Sequence, residues 1–125
     1  MEIAAGIFAF LVAIACAFQL ALSAGAPWGR LTMGGRIAGR LPLLMRLLAL
    51  AQALLLAFLA IVVLARAGLA LPGLFGASKV LIWLAVGVSA LSFAANMLTP
   101  SKWERIIWAP VGASLTSCSL LVALG

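Results

Sequence analysis

The sequence predicts an all-α integral membrane protein: a single domain that bundles four transmembrane helices, with a glycine-rich first loop at the membrane interface. Of its 125 residues, 67% are hydrophobic and only 8% are charged. Soluble domains are about half apolar and about one quarter charged, and a soluble fold of this length has too little interior to bury the excess. Four apolar runs, each long enough for a hydrocarbon core of about 30 Å, are separated by short polar breaks.

The first apolar run covers residues 3–24 and is expected to be a retained transmembrane helix. A cleaved signal peptide is the alternative, because Ala24, Gly25 and Ala26 resemble a cleavage site. However, the start carries Glu2 and no positive charge, the run is longer than a usual signal core, and Pro27 would follow the cut. These features favour the transmembrane helix.

Residues 25–42, called loop one here, form the longest interruption and read GAPWGRLTMGGRIAGRLP. Its glycines, with Pro27 and Pro42 at its ends, exclude one continuous helix. Trp28 favours a position at headgroup depth, because the amphipathic indole ring prefers that region. We expect a short interfacial or partly re-entrant segment.

The second and third spans are predicted at residues 42–65 and 79–98. Pro42 suits the first turn of a helix, where its missing N–H is harmless. Residues 67–78, called loop two, are broken by Pro72, Gly73 and Gly76. In the third span Ala85 and Ser89 are small residues four apart, a spacing that lets neighbouring helices approach closely.

The fourth span is predicted at residues 102–124, after a connection at residues 99–101 called loop three. Ser101 followed by Glu104 just before an apolar run is typical of a capping box. Pro110 removes one backbone hydrogen bond inside this helix, so we expect a kink there. The hydroxyls that follow, including Thr116 and Ser119, can bond to carbonyls within the helix.

The distribution of basic residues predicts an orientation. Loops one and three, with the helix starts beside them, carry six of the eight basic residues: Arg30, Arg36, Arg40, Arg46, Lys102 and Arg105. Loop two and its flanks carry only Arg66 and Lys79. By the positive-inside rule, loops one and three should be cytoplasmic and both termini should lie outside.

The residue types argue against catalysis, metal binding and nucleic-acid binding. The chain has no His and no Asp, and its two acids, Glu2 and Glu104, should lie at opposite membrane faces. General acid–base catalysis needs a titratable group at the reacting proton, and metal sites need clustered ligands. The basic residues flank apolar spans, and no nucleic-acid recognition module is visible. We therefore expect no enzyme activity, no metal, no cofactor and no nucleic-acid partner.

Polar residues inside the spans are the candidate functional residues, because intramembrane polar groups tend to face a bundle interior. The possible polar cluster comprises Gln19, Arg46, Gln52, Asn96, Glu104 and Ser114. The alternative is that the amides are hydrogen-bond links between helices and that Arg46 extends to the interface. A sharper hypothesis pairs Arg46 with Glu104 below loop one. Arg30, Arg36, Arg40, Lys102 and Arg105 are then the expected contacts for anionic lipid headgroups or an acidic partner.

Loop one together with the segment NMLTPSKWERIIWAP resembles a group of small, uncharacterised bacterial four-span proteins. The resemblance covers nearly the whole chain and implies a multi-pass protein of the bacterial inner membrane. It implies no activity, since the group has none to transfer.

Three functions are therefore considered. The first is a non-catalytic accessory or scaffolding subunit that packs against a membrane-protein partner or a second copy of itself. The alternative is a small transporter or channel with a polar path between its helices. The third is an enzyme that modifies lipids. A water-filled polar path would favour the transporter, and a dry interior with an apolar flank would favour the subunit.

Overall fold

The computed structural model describes residues 2–37 and 39–125, and within them it is helical with no strand. Its four long helices are α1 (Glu2–Ser23), α2 (Leu43–Arg66), α3 (Phe75–Leu98) and α4 (Lys102–Leu124). By length and composition, all four could cross a membrane. The predicted all-α fold, with four helices long and apolar enough to span a membrane, is confirmed.

The helices form a bundle in which α1 packs most closely against α2, and α3 against α4. Contacts of α2 with α3 and of α1 with α4 complete it. Loops one and three meet at one end, where the Gly34 N–H donates to Glu104. At the other end, called the loop-two end, the Arg66 guanidinium donates to the carbonyl of Gly125 at 3.1 Å.

The main hydrophobic core fills the half of the bundle at the loop-two end. All four helices contribute to it: its buried members are Ala4, Ala5, Phe8, Val12, Leu59, Val63, Ile82, Ala85, Leu115, Cys118 and Val122. Close packing of apolar side chains stabilises helices in lipid, where there is no hydrophobic drive to associate. This half is therefore packed with apolar side chains from every helix.

Glycines in the left-handed region end α1 and α2 in the same way. Gly25 has a φ of 104° and Gly68 a φ of 78°. After α1, the Ala26 N–H donates to the Ala21 carbonyl, and after α2 the Leu69 N–H donates to the Leu64 carbonyl. These are Schellman caps, which satisfy the last carbonyls of a helix and usually place glycine at the left-handed position.

The third helix begins earlier than expected. The sequence predicted a start at Lys79, but a 3-10 turn at Pro72–Leu74 leads directly into α3 at Phe75. The Ser78 hydroxyl donates to the Phe75 carbonyl at 2.6 Å inside the first turn. Pro72 starts the helical turn rather than ending a loop, because its fixed φ suits a helix N-terminus. Loop two is correspondingly shorter than predicted.

The fourth helix begins with a cap at Ser101, whose hydroxyl accepts the backbone N–H of Glu104 at 3.3 Å. It continues without interruption past Pro110. Thr116 and Ser119 donate to the carbonyls of Gly112 and Leu115, as expected for hydroxyls within an apolar helix. Gly112 is buried, and a Cβ added there would lie 2.9 Å from the Cα of Phe93 on α3.

Loop one is folded against the end of the bundle. It contains two 3-10 turns, Gly29–Leu31 and Met33–Gly35. The Gly29 N–H donates to the Gly39 carbonyl at 3.0 Å, which joins the two sides of the loop. A second apolar cluster fixes it to α1 and α2. The buried members of that cluster are Leu22, Leu41 and Ala49, with Phe18, Met33, Ile37 and Met45 packed around them.

Candidate functional site

A cavity of about 410 Å³ lies between the four helices in the half of the bundle covered by loop one. Its polar lining residues are Gln19, Thr32, Gln52, Ser92, Asn96 and Glu104. These residues come from all four helices and from loop one, so only the folded bundle brings them together. The volume lies within the range of about 300 to 1,000 Å³ typical of small-ligand sites.

The cavity ends blindly toward the loop-two end. Leu56, Val88 and Leu115 line it and also belong to, or pack against, the main hydrophobic core. Beyond them that core fills the bundle. In this conformation the polar space therefore reaches about half of the bundle and is closed by apolar packing on the other side.

The flank between α2 and α3 is the open side of the cavity. On α3 the buried residues are Ser78, Ile82, Ala85 and Ser89, and nothing after Ser89 is buried. On the same flank Gln52, Leu55 and Ala95 line the cavity while remaining exposed. The lining residues of α1 and α4 are instead buried or half-buried. If the four helices span a membrane, this side faces lipid.

Glu104 supplies the only charge among the described residues that line the cavity. Its side chain is buried, with 8% of its surface exposed. Oε1 accepts the backbone N–H of Gly34 at 2.6 Å and the hydroxyl of Thr99 at 3.3 Å. Both partners are neutral, so the hydrogen bonds orient the carboxylate without balancing its charge.

The amides that line the cavity are incompletely bonded. Among the described residues, Gln19 Oε1 is buried and accepts no hydrogen bond. The Asn96 Nδ2 donates to the Ser92 carbonyl at 2.8 Å, one turn back on α3, so its donors are partly used. A buried acceptor without a partner is costly, and a ligand or water with an N–H or O–H would satisfy it.

Loop one covers the end of the cavity and is held there by an aromatic contact and a hydrogen bond. The indole N–H of Trp108 on α4 donates to the Leu31 carbonyl at 3.0 Å. The ring of Phe18 lies 4.7 Å from that of Trp108 and stacks on Trp28 at 6.1 Å between centroids. Leu31, Thr32 and Met33 thereby become part of the cavity wall.

The structure brings together four of the six predicted cluster residues: Gln19, Gln52, Asn96 and Glu104. Arg46 and Ser114 lie elsewhere. The Arg46 Nε donates to the Ser23 carbonyl at 3.0 Å, at the end of α1, and Ser114 is exposed on α4. The hypothesised pair of Arg46 with Glu104 is not formed, since each side chain bonds to a different partner.

The predicted basic contacts lie around the loop-one end. Arg36, Arg40, Lys102 and Arg105 are all exposed there, and the Arg105 guanidinium donates to the Thr99 carbonyl at 2.5 Å. The side chain of Arg30 lies outside the described part of the structure. The exposed residues surround the covered end of the cavity but do not line it.

Sequence reasoning missed Thr32, Ser92 and the role of Gly34. Ser and Thr within an apolar chain carry no sign of a cavity, and Gly34 contributes through its backbone. The fourth missed residue is Trp108, whose indole N–H donates to loop one. The only available signal was the clustering of glycines, which indicated irregular backbone without saying what its N–H groups meet.

Within residues 2–37 and 39–125, no three His, Cys, Asp or Glu side chains are close enough to hold a metal ion. Comparison with protein-family models, with curated proteins and with solved structures finds no match for this chain.

Proposed function

We propose that this protein binds a small amphipathic molecule that enters from the lipid between α2 and α3, and that it does so as a small transporter. The observation that carries the proposal is the laterally open cavity with a polar interior, about 410 Å³ in volume. An apolar wall with a few converging polar groups is the usual form of a small-ligand site. Of the three functions that the sequence suggested, this geometry favours the polar path between helices.

Because the cavity is closed toward the loop-two end, transport would require a change of conformation. The main core closes the cavity toward the loop-two end, so the conformation described is open to one half of the membrane. Transport needs a second conformation in which packing around Leu56 and Leu115 loosens while the α2–α3 flank closes. Binding is the first step of this function and can be tested alone.

A matched pair of tryptophan substitutions on α3 tests binding. Ala95 lines the cavity, whereas its neighbour Ala94 is exposed and does not line it. We expect a small molecule to co-purify with the wild type and with Ala94→Trp in lipid nanodiscs, and to be lost from Ala95→Trp, as measured by mass spectrometry. Equal retention by both variants, or no retained molecule in any of the three, would contradict the proposal.

An accessory subunit is the second candidate, and the exposed Gln52 favours it. This amide lies near the middle of α2, where contact with lipid is costly and a partner helix could bond to it. The loop-three half of α3 also leaves Leu91 72% and Leu98 84% exposed. A helix of a partner protein, or of a second copy, would then occupy the opening between α2 and α3.

Photo-crosslinking separates the two candidates. A photoreactive residue at Leu91, beside the opening, should give only lipid adducts if the opening admits small molecules. A discrete protein adduct there, absent when the same residue replaces Ile14 on the exposed face of α1, would instead support the subunit.

We further propose that the loop-one end is cytoplasmic in a bacterial inner membrane, with loop one at the interface and both termini outside. Arg36, Arg40, Lys102 and Arg105 are exposed at that end, where anionic headgroups would attract them. No catalytic step is proposed, because Glu104 is the only acid or base among the described lining residues.

A further inference from the structure

We infer that the ligand of this cavity has a cationic head that donates hydrogen bonds, as in a primary alkylamine, and that this head lies between Glu104 and Gln19. The inference rests on the proposed binding function and adds the chemical class of the ligand. The charge, the hydrogen-bonding capacity and the shape of the site each lead to it.

The negative charge of the site favours a ligand with a positively charged head. Glu104 is the only charged group among the described lining residues, and its bonding partners, the Gly34 N–H and the Thr99 hydroxyl, are neutral. Electrostatic interactions are stronger in a partly buried site than in bulk water. An anionic head near this carboxylate would be repelled, whereas an ammonium would balance it.

The hydrogen-bonding groups of the site require a donor. Among the described residues, Gln19 Oε1 is buried and accepts no hydrogen bond, while one N–H of Asn96 Nδ2 donates to the Ser92 carbonyl. The Trp108 N–H is likewise used by Leu31. Gln19 Oε1 and the Glu104 carboxylate are therefore the buried acceptors that a ligand head can satisfy, and an ammonium carries three donors and no acceptor.

The walls fit an apolar chain attached to that head. Phe18 and Trp108 line the cavity with their rings 4.7 Å apart, and aromatic faces attract ammonium groups within about 6 Å. From there Leu55, Leu56 and Val88 form an apolar wall that leads to the opening between α2 and α3. A chain leaving the head can therefore extend along these apolar side chains toward the opening.

Four decyl compounds that differ only in their heads test the inference on the protein in nanodiscs: decylammonium, decyltrimethylammonium, decanol and decyl sulfate. Binding is followed by intrinsic tryptophan fluorescence, with empty nanodiscs as background. We expect saturable binding of decylammonium, weaker binding of decyltrimethylammonium, which cannot donate, and no saturable binding of decyl sulfate. Charge-assisted hydrogen bonds should favour decylammonium over decanol by about tenfold or more.

Variants locate the head. Glu104→Gln keeps an acceptor for Gly34 but removes the charge, so it should weaken decylammonium by about tenfold and leave decanol unchanged. Gln19→Leu should reduce the advantage of decylammonium over decyltrimethylammonium. Glu2→Gln, at the opposite end of the bundle, is the control and should change neither.

Two results would overturn the inference. Equal affinity for decylammonium, decanol and decyl sulfate would contradict a cationic head. An unchanged preference of Glu104→Gln for decylammonium over decanol would contradict it too. If binding that ignores the head were still lost in Ala95→Trp and kept in Ala94→Trp, the proposed binding function would stand without this ligand class. If binding ignored the head group and Ala95→Trp also bound as well as Ala94→Trp, both the ligand class and the proposed binding function would be contradicted.

Discussion

The backbone N–H of Gly34 donates to the carboxylate of Glu104 at 2.6 Å, joining residues that are 70 positions apart in the chain. Gly34 lies in the left-handed region with a φ of 79°, next to Met33 at 50° and Gly35 at 69°. This backbone conformation, which glycine adopts without strain, directs the N–H at α4. This contact therefore joins loop one to α4 and orients the only charge among the described lining residues.

We predict that Glu104→Ala lowers the free energy of unfolding by about 1.5 to 3 kcal/mol, the usual contribution of a hydrogen bond to a charged group. Loop one should also become more sensitive to trypsin at Arg36 and Arg40. Unfolding in mixed micelles with increasing denaturing detergent measures the first effect. Glu2→Ala is the matched control, since Glu2 is exposed. Equal stability of the two variants would contradict the role assigned to the Gly34 contact.

We predict that Gly29→Ala displaces loop one and that Gly39→Ala does not. A Cβ on Gly29 would lie 2.5 Å from the Gly39 carbonyl oxygen and closer still to that of Ile37, whereas one on Gly39 meets nothing within 4 Å. Displacement should separate Trp28 from Phe18 and shift tryptophan emission to longer wavelength. The idea fails if both variants give the wild-type spectrum.

We predict that Gly112→Ala destabilises the packing of α3 against α4 by about 1 to 3 kcal/mol, the usual cost of an added methyl group in a packed interior. The added Cβ would lie 2.9 Å from the backbone of Phe93. Gly87→Ala makes the same change on α3 in open space and should cause no loss of stability. The comparison uses the same detergent unfolding assay, and equal destabilisation by both would argue against close packing at Gly112.

We predict that loop one is labelled from the cytoplasmic side and loop two from outside. The test uses a background in which Cys16 and Cys118, both free thiols, are replaced by alanine. Single cysteines then replace Arg36 or Leu69, both exposed. In intact bacterial cells a membrane-impermeant maleimide should react at position 69, and at position 36 only after permeabilisation. The reverse pattern would invert the proposed orientation.

The sequence predicted the helices well because their signal is local. Apolar runs of sufficient length, the cap at Ser101 and the glycines of loop one after Ser23 each depend on neighbouring residues. The start of α3 was wrong because Pro72 and Gly76 are compatible with both a loop and a first helical turn. In the structure they form a helical turn, within which the Ser78 hydroxyl donates to the Phe75 carbonyl.

The candidate site could be predicted only in part. Gln19, Gln52, Asn96 and Glu104 were candidates because polar residues in lipid are costly, whichever way they face. Their rotation about the helix axes determined that they share one cavity, and it placed Ser114 outside it. Thr32 and the Gly34 N–H joined them because loop one folds back, which no local pattern specifies.

The sequence by itself determined an all-helical chain with four segments able to cross a membrane, because hydrophobicity and helix termination act over a few residues. The tertiary structure decided that Arg46 bonds to Ser23 rather than to Glu104, and that the carboxylate lines a cavity. It also decided that the cavity opens between α2 and α3, where α3 has no buried residue beyond Ser89. These outcomes depend on how the helices rotate and pack against one another, which is set by contacts between residues far apart in the chain.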